Sequence, residues 1–564
     1  MESCDICGQL LENRTNDVPC SGPCGGTVHA SCANATGIRL ANANVGMFWF
    51  CDQCRRGLRS LTKKKQAVAL GAAAAADSPE LPTEVWIEVF RNLSCNELLK
   101  MRQVCRRWRD IVTGCPALMG KLTVTFRKRK VDPDYLLPVR KASFKAINRI
   151  EPWWQSFGQN VVEIKIQRCD YEADVRIKFK HVLEILQQAP NLQRFELIGC
   201  TLIDKHSAGV DFRLEKLETL VLDNISNHEG RLKVFRELCP NVKSLKFMWE
   251  DDETVVDPLE VAEFVQRAQN SLEELEVYCS KQFLAEMLKF ERLKLKKLTA
   301  HEPLEVEALV EDDRKLLELF RMHPTLEYLD IREIVTFNDS DGMILNELGQ
   351  LLQKLKFLSI CASHVDLSFL LPIVKLQTLN ICGEGKRFAT IHSSASGERH
   401  SNLRELHLSR AHLPDIGLLS LNTALPNLRV LSLTGCKIGK WSAFLEALCD
   451  LALLQHLTLD ISKVDETTRS FFSPKALTSL KYLAYTKRNK TTNEMLIELV
   501  TMCPGLQELN LKNVELGEAI LGAIFLNLTQ MTKFITSGCD AKGVLASYIR
   551  QNCCALEELV GMES

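Results

Sequence analysis

One short phrase recurs through most of the chain. "NLQRFELIGCTL" begins at residue 191, "PNLRVLSLTGCKI" at 426 and "PGLQELNLKNVEL" at 504, and each fits L-x-x-L-x-L with a further apolar residue after a short turn. Taking the first position as an anchor gives Val161, Leu192, Leu217, Val242, Leu272, Leu295, Leu326, Leu355, Leu376, Leu403, Leu428, Leu454, Leu480, Leu506, Met531 and Leu556. Neighbouring anchors lie 21 to 31 residues apart, settling at 25 to 27 from Leu376 onward. One such unit cannot bury its own apolar side, so successive units must stack into a continuous core. Side chains alternate along a strand, so the residues three and five past each anchor share the core face. Between strands, Phe179, Val182, Leu183 and Leu186 stand at i, i+3, i+4 and i+7, and Leu496, Leu499 and Val500 repeat the idea. That spacing predicts helices. "LTVTF" at 122–126 reads as an extra strand covering the first repeat.

The pattern resembles the leucine-rich-repeat family in its cysteine-containing form. The resemblance implies an α/β solenoid, a horseshoe of about sixteen repeats over residues 119–564, with strands lining the concave face. Cys169, Cys200, Cys436 and Cys539 fall eight past an anchor, and Cys239, Cys503 and Cys553 fall three before one. These thiols read as packing groups, because a small apolar side chain suits a buried turn. Positions four and six past each anchor then point into the hollow. They hold Lys246, Met248, Glu276, Tyr278, Thr299, His301, Asp330 and Arg332 over four successive repeats, with Trp249 one step further on. Later repeats carry smaller groups there, Ser432, Thr434, Thr458 and Asp460. Large amphipathic and arginine side chains are what interaction hot spots use. The expected docking site for a protein substrate is therefore anchored by Trp249, Tyr278 and Arg332. The competing reading packs Met248 and Trp249 beneath the long junction "MWEDDETVVD".

The N-terminus obeys different rules. Of 22 cysteines, seven fall in the first 54 residues: Cys4, Cys7, Cys20, Cys24, Cys32, Cys51 and Cys54, joined by His29. Eight ligands in four close pairs suit two tetrahedral zinc ions. Gly22, Gly25 and Gly26 allow the sharp turns that such pairs need. A segment of this length cannot bury enough surface to fold alone. Zinc would make up the deficit with roughly 10–16 kcal/mol per site. The order of four cysteines, one histidine and three cysteines, with Trp49 two before Cys51, resembles the PHD finger. A RING finger would place its histidine fourth. The resemblance implies a two-zinc cross-brace over residues 1–56. Cys4, Cys7, His29 and Cys32 would take one ion, and Cys20, Cys24, Cys51 and Cys54 the other. Many PHD fingers read histone tails, those for trimethyl-lysine with an aromatic cage. The positions where the family carries cage aromatics hold Ser3 and Thr27 here, which argues against a cage. Glu12 and Asp17 are available to an unmodified basic tail.

Residues 57–79 read as a basic, alanine-rich tether, with further basic runs at "RRGLRSLTKKK" and at "RKRK" 127–130 that would serve nuclear import or stay solvated. In "LPTEVWIEVFRNLSCNELLKMRQVCRRWRDIV", residues 81–112, Val85, Val89 and Leu93 recur at four-residue steps beside Trp86 and Phe90. Ser94 and Glu97 predict a capping box opening a second helix that runs on through Val104, Cys105 and Trp108. The stripe exceeds what short helices can hide, so a partner or a neighbouring domain must cover it. The Leu81-Pro82 opening, the Leu98–Leu99 pair and the Val104-Cys105…Trp108 ending resemble the F-box. The resemblance implies an all-α domain over 80–118 that binds the Skp-type adaptor and cullin scaffold of SCF ubiquitin ligases. Leu81, Pro82, Val85, Phe90, Leu93 and Leu98 would be the adaptor contacts.

A formal net charge of −1 argues against coating nucleic acid through bulk charge. No apolar run suits a signal peptide or a bilayer, so a nuclear or cytoplasmic setting is expected. The combination reads as a non-catalytic substrate receptor, with a chromatin protein recruited through its finger as the alternative. Histone demethylases with similar modules need an iron site on a separate barrel. His364-x-Asp366 has that local spacing but lies just past a repeat strand, and no segment remains to form a barrel.

Overall fold

The computed structural model describes the backbone of residues 17–19 and 27–29 and most of 81–560. Outside the described residues are 122, 127–139, 145–153, 168–175, 205–209, 227–229, 249–257, 302–312, 335, 338–342, 384–388, 393–399, 401, 415–423, 467–474, 489–491 and 540–555. The chain divides into two compact units, Met1–Glu88 and Val89–Ser564.

In the first unit, strand Asp17–Pro19 pairs antiparallel with Thr27–His29, setting Asp17 opposite His29 and Pro19 opposite Thr27. The connection between them, residues 20–26, is the sequence that carries Cys20 and Cys24.

Beyond its first short helices, the second unit is a parallel sheet whose main ladder takes one strand from each repeat. It starts with Thr123–Phe126 against Lys141–Phe144, continues to Glu163–Gln167 and Arg194–Leu202, and ends with Lys533–Ser537 against Glu558–Val560. Among the described residues no register joins the last strand to the first. The expected extra strand is therefore present. Lys141–Phe144 is a further one that the anchor series passes over, because Ala142 and Phe144 stand where leucines would. Equivalent residues meet in register along the whole ladder: Lys246 faces Glu276, Glu276 faces Thr299 and Thr299 faces Asp330.

Burial explains why the phrase repeats. Fifteen of the sixteen anchors, Val161 through Met531, are at most 2% exposed, and the residues three past them are buried beside them from Ile164 to Phe534. Helices supply the other wall of this core. Phe179–Gln187 buries Phe179, Val182, Leu183, Ile185 and Leu186, and Asn493–Thr501 buries Met495, Leu496, Leu499 and Val500. Cys200, Cys436, Cys239 and Cys503 are buried as packing groups, while Cys539 is half-buried. Cys169 and Cys553 lie outside the described residues.

A turn rule emerges that the leucine pattern does not contain. Gly199, Asn224, Arg410, Gly435, Asn513 and Gly538 all have φ between 50° and 63°, and each stands seven past an anchor. That left-handed step is where the chain leaves the main ladder, and glycine or asparagine adopts it most easily. Beyond it the strands pair again in parallel, with Cys200 beside Ile225 and His412 beside Lys437.

Candidate interaction surfaces

The segment from Leu81 holds four short helices: α1 (Thr83–Arg91), α2 (Cys95–Val104), α3 (Arg106–Gly114) and α4 (Pro116–Met119). The capping box is present. Ser94 N donates to Glu97 Oε2 at 2.7 Å, and Glu97 N donates to Ser94 Oγ at 3.4 Å. The second helix, expected to run on through Trp108, instead breaks at Cys105. That residue is extended (φ −155°, ψ 165°), and its sulfur accepts from Trp108 N at 3.4 Å, capping α3. Lys121 Nζ donates to the carbonyl oxygens of Arg91 and Leu93, where the end of α1 leaves acceptors unfilled.

The expected adaptor contacts separate into two groups. Leu81, Pro82 and Val85 are exposed, the first and last by 46% and 40%. Leu93 is half-buried. Phe90 and Leu98 are 1% and 0% exposed and face the interior, Phe90 edge-on to Trp108 at 5.3 Å. As placed, these two belong to the core beneath the surface and not to the surface itself. Val89 and Val104 are exposed and were not among the expected contacts. Among the large apolar side chains exposed in the described residues, four fall between 81 and 104, while the other seven are scattered from 203 to 560.

The second surface is the sheet face turned away from the core. The alternation places Lys246, Glu276, Thr299 and Asp330 in one row, and Met248, Tyr278 and His301 in the row beside it, as the strand pattern predicts. The charges are joined. Lys246 Nζ lies 3.0 Å from Asp223 Oδ2 and 2.9 Å from Glu276 Oε1. His301 Nδ1 lies 2.7 Å from Glu333 Oε2, while its Nε2 is 3.7 Å from Glu276, too long for a hydrogen bond but close enough for charge. Glu276 and Glu333 hold the His301 imidazole above its ordinary value against the opposing effect of burial. His301 and Lys246 in turn hold Glu276 down at about 2. Tyr278 packs edge-on to His301 with ring centres 6.1 Å apart. Arg332 is exposed and lies 3.4 Å from Asp330. Tyr278 and Arg332 thus occupy one face, whereas Trp249 lies outside the described residues.

The same face holds groups that the sequence reading missed. Tyr328 stacks on Phe357 at 4.1 Å, and Lys297 Nζ sits 4.8 Å from the Tyr328 ring centre. All three stand two past an anchor, in line with the four-and-six rows, so alternation alone could have found them. Toward the C-terminus a cleft of about 530 Å³ is lined by Asp460, Thr486, Lys487, Arg488 and Lys512, with Arg488 clamped on Asp460.

The expected zinc ligands Cys4, Cys7, Cys20, Cys24, Cys32, Cys51 and Cys54 lie outside the described residues, and of His29 only the backbone is described. His364 is exposed, and Asp366 Oδ1 accepts from Ser368 N at 3.1 Å, capping the turn Leu367–Leu370. No helix among the described residues is long and apolar enough to cross a membrane.

A family model described as F-box-like matches residues 78–123. No curated protein matches the chain. Among solved structures, an internalin of Listeria monocytogenes is similar at 14% identity and a TM-score of 0.30, over 73% of this chain and 89% of that one. The mouse RP105/MD-1 complex is similar at 15% identity and a TM-score of 0.40, over 74% of each chain. The chain thus combines an F-box-like segment with a parallel-strand repeat solenoid.

Proposed function

We propose that this chain is the substrate-recognition subunit of an SCF-type ubiquitin ligase, acting in the nucleus or cytoplasm and performing no chemistry itself. The observation that carries the reading is the F-box-like match over residues 78–123, reinforced by the exposed Leu81, Val85, Val89 and Val104 within it. F-box domains bind Skp-type adaptors, which connect them to the cullin scaffold. The repeat face would then hold the protein to be modified, with Tyr278 and Arg332 as anchors. The N-terminal donor set fits two structural zinc ions, because seven thiols and one imidazole come in four close pairs. Cys20 and Cys24 fall, in sequence, between the paired strands Asp17–Pro19 and Thr27–His29. The ions would fix that fold and supply no reaction.

Purification of the full chain from cells tests this. The adaptor and cullin should co-purify, and Leu81→Ala with Pro82→Ala should weaken their capture while the solenoid keeps its circular dichroism. Capture of histone tails in place of the adaptor would favour the chromatin reading. Undiminished adaptor capture by the double variant would overturn the assigned contacts. With a substrate in hand, Tyr278→Ala and Arg332→Ala should each cost about 1–2 kcal/mol of binding.

A further inference from the structure

Two cysteines meet on the repeat face, in a setting unlike that of any other thiol among the described residues. Cys361 and Cys382 are register partners on adjacent parallel strands, so both side chains leave the sheet on the same side. No disulfide joins them. Adjacent strands lie about 4.7–4.9 Å apart, inside the Cα spacing that a disulfide spans. Cys361 is 5% exposed, and Cys382 is half-buried with access to solvent. The Cys361 thiol donates toward the Cys382 sulfur, and Arg410 Nη2 donates to it at 3.4 Å. Gly383 O, 3.4 Å away, accepts the Cys382 proton when it is present.

Arg410 is itself an exception. It holds φ 50° at the turn position where the other five repeats with this turn place glycine or asparagine. Nothing about the turn requires a guanidinium there, and a bulky side chain in this conformation carries strain. Gly435, in the next repeat, lies beside it: a Cβ there would stand in ordinary contact, 3.7 Å from Arg410 Cγ. The hydrogen bond from Cys361, then Arg410, and then the field of Arg332 hold the Cys382 thiol well below its ordinary value despite partial burial. Burial instead raises Cys279 and Cys503 to about 12 and Cys436 to about 11.

We infer that Cys382 is an oxidation site for hydroperoxides, with Cys361 as the thiol that resolves it to a disulfide. The Cys382 thiolate attacks one peroxide oxygen, the O–O bond breaks, and the departing alkoxide or hydroxide takes a proton from water. The sulfenic acid so formed is attacked by the Cys361 sulfur, which has released its proton to water. Hydroxide leaves and is protonated, and the S–S bond closes. Two thiols are oxidised by two electrons and one peroxide is reduced to an alcohol, or to water, plus a second water.

The reduced full-length protein should be treated with hydrogen peroxide, quenched with N-ethylmaleimide and digested with trypsin without reductant. Lys375 lies between the two cysteines, so they reach separate peptides. The expected product is a Cys361–Cys382 linked pair that dithiothreitol separates, and in Cys361→Ser a sulfenic acid at Cys382 that dimedone captures. Peroxide that modifies the exposed Cys105 first, or a folded protein that yields no such linked pair, would overturn the assignment. The role of Arg410 is tested by Arg410→Asn, which keeps a residue that this turn accepts at Asn224 and Asn513. Alkylation of Cys382 in the parent should be nearly as fast at pH 7 as at pH 8.5, whereas in the variant, which keeps the Cys361 contact, it should fall more steeply, though by less than the roughly 15-fold of an ordinary thiol. A parent that falls as steeply as the variant would refute it.

Discussion

The repeats around residues 272–362 and those around 428–537 share one interior and differ in nearly everything else. Leu272, Leu295, Leu326 and Leu355 are as completely buried as Leu428, Leu454, Leu480 and Leu506. The middle repeats carry a linked ionic face, Glu276, His301, Glu333, Asp330 and Arg332, with Tyr328 stacked on Phe357. The later repeats offer Ser432, Thr434, Thr458 and Ala484 in the same rows, with one charged pair, Asp460 held by Arg488, and turn on Gly435, Asn513 and Gly538. An interior built from one phrase leaves the outward rows freer to vary than the core.

If the cores are equivalent, they should fail equally. Leu326→Ala and Leu454→Ala each remove a side chain that is 0% exposed, and each should cost about 3 kcal/mol. Urea denaturation followed by circular dichroism checks this. A cost in one region less than half that in the other would break the equivalence.

A smaller effect should separate the regions by pH. His323 stands three before its anchor, where Cys239, Leu352, Leu425, Leu451 and Cys503 stand in other repeats. It is 0% exposed, and its Nδ1 accepts from Leu295 N at 3.5 Å. Burial first, and then Lys294, lower its pKa to about 4. A lowered value means that the unfolded chain takes up the proton first, so stability is complete above about pH 6.5 and declines as pH falls toward 4. At pH 5 the loss should be about 2 kcal/mol. His323→Leu, which fits the residue used elsewhere at this position, should abolish it. The His301 contact has the opposite sign. Its pKa is raised, so its stabilisation is present below about pH 6.5 and fades as pH rises through the folded value. Denaturation midpoints at pH 5 and pH 7 for the parent and His323→Leu decide the matter. An identical acid loss in both would clear His323 of the effect.

The interior was legible because leucine at a fixed step has one physical use, and burial confirmed fifteen anchors from spacing alone. Strand alternation then placed Lys246, Glu276 and Tyr278 outward without further information. Other features obey weaker signals. The break between α2 and α3 rests on a thiol acting as a helix cap, an uncommon role for cysteine. Phe90 and Leu98 lie on the same short helices as the exposed valines, and only the packing of Phe90 against Trp108 reveals which stripe turns inward. Lys141–Phe144 escaped because alanine and phenylalanine replaced the leucines. The Cys361–Cys382 pairing depends on adjacent strands 21 residues apart, visible once the ladder is aligned. The glycine and asparagine seven past the anchor were readable and went unread.

That turn makes the finest distinction. Gly435 and Gly538 share a left-handed backbone, φ 63° and 61°, so alanine at either is strained. Their surroundings differ. A Cβ at Gly435 would meet only Arg410 Cγ, at an ordinary 3.7 Å, whereas one at Gly538 would stand 2.6 Å from Asn513 Oδ1. Gly435→Ala should therefore cost about 1 kcal/mol, the strain alone. Gly538→Ala should cost more, because the Asn513 side chain must also move and the backbone there is itself left-handed at φ 57°. Asn513→Gly relieves both constraints and should restore Gly538→Ala to the cost of Gly435→Ala. Thermal unfolding of the two single variants and the double variant measures the coupling. Additive costs would mean that the turns of successive repeats are independent. A recovered cost would mean that each later repeat sets the space in which its neighbour turns, and the glycine–asparagine alternation would then be a packing rule of the array.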